Sequence, residues 1–141
     1  MINRILLALS SPVRFRPAAR WTVSLAARLN AHLFAVYLLP ADTSSDRTRP
    51  EELRAGRIRK HSSEEEKAWQ VLYEIEDQSF NQNVRVSLLL ETGEPLARLA
   101  QLCESYRIDL LVVSAETPLS PEYLLRHSQK PVVFFKTDKE E

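Results

Sequence analysis

Five short apolar runs alternate along the chain with segments whose apolar residues recur at helical spacing, and this order limits the possible folds more than any single residue does. Arg4 to Leu9 (RILLAL) stops at Ser10, Ser11 and Pro12, as a strand buried on both faces of a parallel sheet should. His32 to Leu39 (HLFAVYLL) is aromatic and branched and ends at Pro40; Val84 to Leu90, Asp109 to Val113, and Val132 to Phe135 after Pro131 complete the set. Between the first two, Pro17 can open a helix carrying Ala18, Trp21, Thr22, Leu25 and Leu29, and Asn30 suits the left-handed residue that ends it. Residues 41 to 60 are polar, with Pro50 and Gly56, and read as a mobile loop passing into a helix. From Ser63 the run EEEKAWQVLYEIEDQSF predicts that helix, capped by Ser62 or Ser63, with Trp69, Leu72, Tyr73 and Phe80 on one side. Thr92-Gly93-Glu94-Pro95 turns into a helix with Leu96, Leu99, Ala100 and Cys103 at i, i+3, i+4 and i+7, and Pro121 to Ser128 gives barely two turns more. Strand alternating with helix predicts an α/β protein with right-handed crossovers and a single parallel sheet covered on both faces.

A chain of 141 residues fits one domain, 1–141, able to bury about 70% of its unfolded surface. Lys plus Arg equals Asp plus Glu at 19 each, so no net field draws it to nucleic acid or an anionic membrane. The one cysteine, Cys103, has no partner for an internal disulfide, and no Cys/His array suggests structural zinc, which points to a reducing compartment. Ile5 to Leu9 is too short for a signal core or a membrane span, so a cytoplasmic protein without membrane insertion is expected.

Open α/β sheets bind ligands outside the carboxyl ends of their strands, which singles out Ser10, Ser11, Asp42, Glu91, Ser114 and Glu116. Close approach of backbone to phosphate needs glycine. The turn after the fourth strand, Ser114 to Ser120 (SAETPLS), holds none, and with only Gly56 and Gly93 in the chain neither a dinucleotide fingerprint nor a P-loop can exist. A phospho-receiver needs acids after strand one, where this chain has Ser10 and Ser11. Ser10, Ser11, Ser114 and His127 could suggest a hydrolase, but the nucleophile elbow is missing and His127 lies in a plain basic end, RHSQK. His32 and His61 are isolated, so no metal site is expected. Cys103 falls on the apolar stripe of its helix and reads as an inert core thiol. Arg47, Arg49, Arg54, Arg57, Arg59 and Lys60, interleaved with acids, read as a solvated helix face.

In this order of elements the chain resembles the universal stress protein family from Asn3 to Lys136. RILLAL followed by small residues is similar to that family's first strand, and AARLNAHLFAVYLLP to its helix end and second strand. TGEPLARLAQLCESYRIDLLVVS is similar to its Gly-acidic-Pro turn, third helix and fourth strand, and LLRHSQKPVVFFK to its closing helix and strand. The resemblance implies strand order 3-2-1-4-5, the adenine nucleotide alpha hydrolase-like arrangement. Members that bind ATP carry G-x2-G-x9-G-[ST] after strand four. Here Ser114 stands for the first Gly, and the distance to Pro131 is about nine residues too short. Ser10 also replaces the acid that usually follows strand one.

The resemblance therefore implies a non-enzymatic regulatory or stress-response protein that has lost ATP binding, needs no cofactor and acts through contacts with an unidentified protein. It implies a homodimer through the last strand, Val132, Val133, Phe134 and Phe135, with one alternate pair in the core and the other on the partner. An alternative is a sensor of a small anion or nucleoside in a shallow residual crevice lined by Ser10, Ser11, Arg14, Arg16, Ser114 and Glu116.

Overall fold

The computed structural model describes residues 1–40, 50–114, 117 and 119–136, and of residues 50–62 the backbone course alone. The elements run β1 (Arg4–Leu9), α1 (Arg16–Leu29), β2 (His32–Leu39), α2 (Pro50–Asn81), β3 (Val86–Thr92), α3 (Pro95–Ser105), β4 (Leu110–Ser114), α4 (Pro121–His127) and β5 (Val132–Phe135). All four strand pairs are parallel and the sheet order is β3-β2-β1-β4-β5, as expected. Strand order reverses direction between β1 and β4, which puts the switch point between these two strands.

The sheet divides two apolar cores. Ile5, Leu7 and Leu9 of β1 face α1 and α2, packing with Ala18, Val23, Leu72 and Ile75. Leu6 and Ala8 face the other way, toward Leu99 and Leu102 of α3 and Leu124 of α4. Because successive strand residues point to opposite faces, a strand covered on both must be apolar throughout, and β1 from Ile5 to Leu9 is fully buried. Its start is held from a distance: Asp109 Oδ2 accepts the Asn3 and Arg4 N–H groups at 2.9 and 3.0 Å.

Helices α1, α2 and α3 depart from their expected forms in part. α1 begins at Arg16, one residue ahead of Pro17, and ends as anticipated at Asn30, left-handed at φ 55°, whose N–H reaches the Ala26 and Ala27 carbonyls. Its buried stripe is Ala18, Ala19, Thr22, Val23 and Ala26, so the small residues fit against the sheet. Trp21 and Leu29 stay partly exposed at the rim. α2 starts at Pro50, so most of the anticipated loop is helix and Ser62 and Ser63 lie inside it instead of capping it. Pro50 suits a first helical position, and Glu51 to Lys60 is rich in strong helix formers that outweigh the roughly 1 kcal/mol cost of Gly56. Residues 41–49, the rest of that anticipated loop, lie outside the described residues.

The buried face of α2 is Ala68, Val71, Leu72, Ile75 and Ser79. Tyr73 and Phe80, expected beside Leu72, are 56% and 79% exposed. Two hydroxyls manage their burial by bonding back one turn, Thr22 to Ala18 O at 2.7 Å and Ser79 to Ile75 O at 2.8 Å.

β3 pairs from Val86 to Thr92, two residues later than anticipated, because β2 continues the ladder as far as Leu39 opposite Thr92. The turn that follows needs Gly93, whose φ of +126° disfavours a side chain. Glu94 caps α3 by accepting the Ala97 N–H at 2.7 Å, and Leu99 and Leu102 turn inward while Ala100, anticipated in the stripe, faces solvent. Ser120 caps α4 in the same way, accepting the Tyr123 N–H at 3.2 Å.

β5 forms the sheet edge, and all four of its side chains are half-buried. Val133 and Phe135 pack on the α1/α2 core, where Phe135 meets Trp21 with ring centroids 5.7 Å apart, and Val132 and Phe134 pack on the α3/α4 core.

Candidate functional site

Ser10 and Ser11 follow the carboxyl end of β1, and Ser114 ends the neighbouring β4. Ser114 is 1% exposed, and Ser10 and Ser11 are half-buried. The Ser11 hydroxyl accepts the Val13 N–H at 3.2 Å, tightening the turn out of β1. Arg14 follows in the left-handed region, φ 62°, with its side chain in solvent. Arg16 does not join this group. Its guanidinium makes a two-pronged pair with Glu74 of α2, Nε to Oε2 at 2.6 Å and Nη2 to Oε1 at 3.1 Å, and this raises its pKa further. An anion in the crevice would have to compete with that carboxylate for Arg16. Asp42 and Glu116 lie outside the described residues, while Glu91 is half-buried in β3 opposite Leu38.

Among the described residues after β4, three backbone N–H groups are bonded within the segment itself. The Thr117 N–H donates to Ser114 O at 3.0 Å, the Leu119 N–H to Thr117 O at 2.7 Å, and the Leu124 N–H to Ser120 O at 3.0 Å. Peptide N–H groups engaged in this way are not available to cradle phosphate oxygens. One polar atom lacks a partner there: Thr117, 5% exposed, buries its hydroxyl oxygen without a hydrogen bond. The sequence reading passed over Thr117. The signal that could have marked it is its position three residues beyond Ser114, where a turn folds a side chain back over a strand end.

His127 belongs elsewhere. It occupies the last turn of α4, where its Nδ1 lies 3.1 Å from Tyr123 O and its ring stacks on Tyr123 at 4.0 Å. A carbonyl only accepts, so Nδ1 carries the proton and donates. That arrangement ties the imidazole to its own helix and does not hand it to a serine. Among the described residues no three His, Cys, Asp or Glu side chains converge as a metal ion would require, and no helix is long and apolar enough to cross a membrane. The side chains of Arg54, Arg57, Arg59 and Lys60, like Arg47 and Arg49, lie outside the described residues.

A concavity that the sequence reading missed runs between α3 and α4. Half open to solvent, it has a volume of about 600 Å³ over a floor of Leu99, Leu111 and Leu124, with Cys103 in one wall. Burial pushes the Cys103 thiol up to about 11 against a weaker downward pull from Lys130. The thiol is therefore protonated at neutral pH, although Cys103 is half-buried in the groove wall and not in the closed core that its stripe position suggested. Iodoacetamide at pH 7.5 should label the native protein about tenfold more slowly than the urea-unfolded chain, and the native rate should climb between pH 9 and 11; equal rates at pH 7.5 would refute this.

The chain matches the model of the universal stress protein family over residues 1–136. It belongs to the universal stress protein family. Solved structures agree on the fold of this family member. The universal stress protein UspA from Lactobacillus plantarum superposes with a TM-score of 0.78 at 19% identity, over 95% of this chain and 97% of that one. A universal stress protein family structure from Burkholderia pseudomallei gives 0.74 at 22% identity, over 95% and 96%. One from Arabidopsis thaliana, solved with AMP bound, gives 0.64 at 21% identity, over 98% and 94%. Curated protein sequences yield no match. Universal stress protein membership thus rests on the family model, and the structural likenesses add the fold.

Proposed function

We propose that this universal stress protein works in the cytoplasm as a single-domain, non-enzymatic regulator that does not use ATP. It acts through contacts with another protein and forms a homodimer along β5. The observation that carries the reading is that, after β4, the Thr117 and Leu119 N–H groups are already engaged by backbone carbonyls. The short length of this turn and its lack of glycine support the same conclusion, since close approach of backbone to phosphate needs glycine. Millimolar Mg-ATP should leave the melting temperature unchanged. A ligand at 100 times its dissociation constant stabilises by about 2.7 kcal/mol, so an upward shift of several degrees, with micromolar affinity by calorimetry, would sink the proposal.

A second reading has one specific observation in its favour. The buried, unpartnered Thr117 hydroxyl beside Ser114 is a polar group that a small anion or nucleoside in the crevice could satisfy. That the Arabidopsis relative holds AMP makes adenosine and AMP the ligands to try first. Thr117→Val separates the readings. Under the sensor reading it weakens adenosine or AMP binding, whereas under the regulator reading neither ligand binds and the variant is as stable as the parent or more so.

A further inference from the structure

The groove between α3 and α4 lies on the sheet face away from α1 and α2, apart from the switch-point crevice, and its residues fit a ligand. It exists because the two helices differ in length: α3 has eleven residues and α4 seven, about 16 Å against 10 Å. After α4 the chain turns back at once, with the Ser128 hydroxyl bonded to Lys130 O at 2.9 Å and to the Lys130 N–H at 3.2 Å. Helix α4 therefore leaves part of α3 uncovered, and the gap of about 600 Å³ falls in the range of small-molecule pockets. The floor is apolar, and Tyr123 and His127, whose rings stack on each other, also line the groove and add aromatic surface to it.

The charges are unequal in availability. The Glu94 carboxylate at one end is engaged in capping α3. Lys130 at the other end has no hydrogen bond or ion pair for its ammonium among the described residues, yet its charge is felt at Cys103 inside the groove. Glu104, on the same rim, opposes it in part. We propose that this groove binds a small aromatic monoanion, its rings over Leu99, Leu111 and Leu124 beside Tyr123 and its acid group toward Lys130.

The probe is 8-anilinonaphthalene-1-sulfonate, titrated against the full chain by fluorescence, with uncharged N-phenyl-1-naphthylamine as its neutral counterpart. The sulfonate should give one saturable site. Ala100→Trp, at a solvent-facing position of α3 on the groove wall, should abolish the signal while circular dichroism shows the fold intact. Lys130→Glu should weaken the sulfonate about tenfold and Glu104→Gln should strengthen it about threefold, with the neutral dye unmoved by either. Phe80→Glu, on the exposed aromatic face of α2, should change nothing. The proposal fails if no saturable signal appears or if the signal tracks Phe80→Glu instead of Ala100→Trp. It fails equally if Lys130→Glu leaves the sulfonate unaffected or alters both dyes alike.

Discussion

Leu7→Ala should destabilise the protein by about 3 to 4 kcal/mol and lower the melting temperature by about 10 °C. Leu7 is fully buried in the central strand, between Ala35 of β2 and Val112 of β4, so the deleted methyl groups leave a cavity that neither neighbour can fill without shifting a paired strand. Phe80→Ala removes a larger side chain, but one that is 79% exposed, and should cost no more than about 0.5 kcal/mol. Urea denaturation of both variants checks the contrast. Equal losses would mean that the sheet centre is not the core of this fold.

The second large effect concerns the proposed dimer, and the ladder geometry makes it testable one residue at a time. The Leu111 N–H donates to Pro131 O at 3.0 Å, and Leu111 stands opposite Val132. In a parallel ladder this places the Val133 and Phe135 N–H groups toward β4 and those of Val132 and Phe134 outward from the sheet edge. Proline in place of an outward residue leaves the β4 ladder whole, as edge strands allow, but removes a donor that a pairing strand would use. Val132→Pro should therefore give a folded monomer, whereas Val133→Pro should break the bond to β4 and cost about 3 kcal/mol or more. Light scattering at about 100 μM, with circular dichroism, reads both. A wild-type monomer, or a Val132→Pro dimer as tight as the parent, would rule out assembly along β5.

Most of the fold was legible because the apolar runs are continuous and their limits are marked by Pro12, Pro40, Pro95, Pro121 and Pro131. What was misread depends on tertiary contact. Large apolar residues such as Tyr73 and Phe80 looked like the face of α2, yet the sheet took the narrower stripe through Ala68, Leu72 and Ile75. The same happened on α1, where the alanines went inward and Trp21 stayed at the rim to meet Phe135. Arg16 seemed a crevice residue because it follows β1 closely, but its partner, Glu74, lies 58 positions away, and periodicity cannot reveal such a pairing. That Ser10 and Ser11 follow β1 and Ser114 ends β4 could be read directly, because a strand end is a local feature. The groove was missed because it is the mismatch of two helices 15 residues apart at their nearest ends, and neither helix alone implies it.

Asp109 holding the Asn3 and Arg4 amides has a consequence in time. β1 needs a neighbour on each side, and while β2 leaves the ribosome soon after it, the strand and carboxylate that complete it come 105 residues or so later. At about 5 to 20 residues per second that interval is roughly 5 to 20 s. For that time a strand that the folded sheet buries from Ile5 to Leu9 is an uncovered edge, open to the β1 of any nascent chain on the next ribosome.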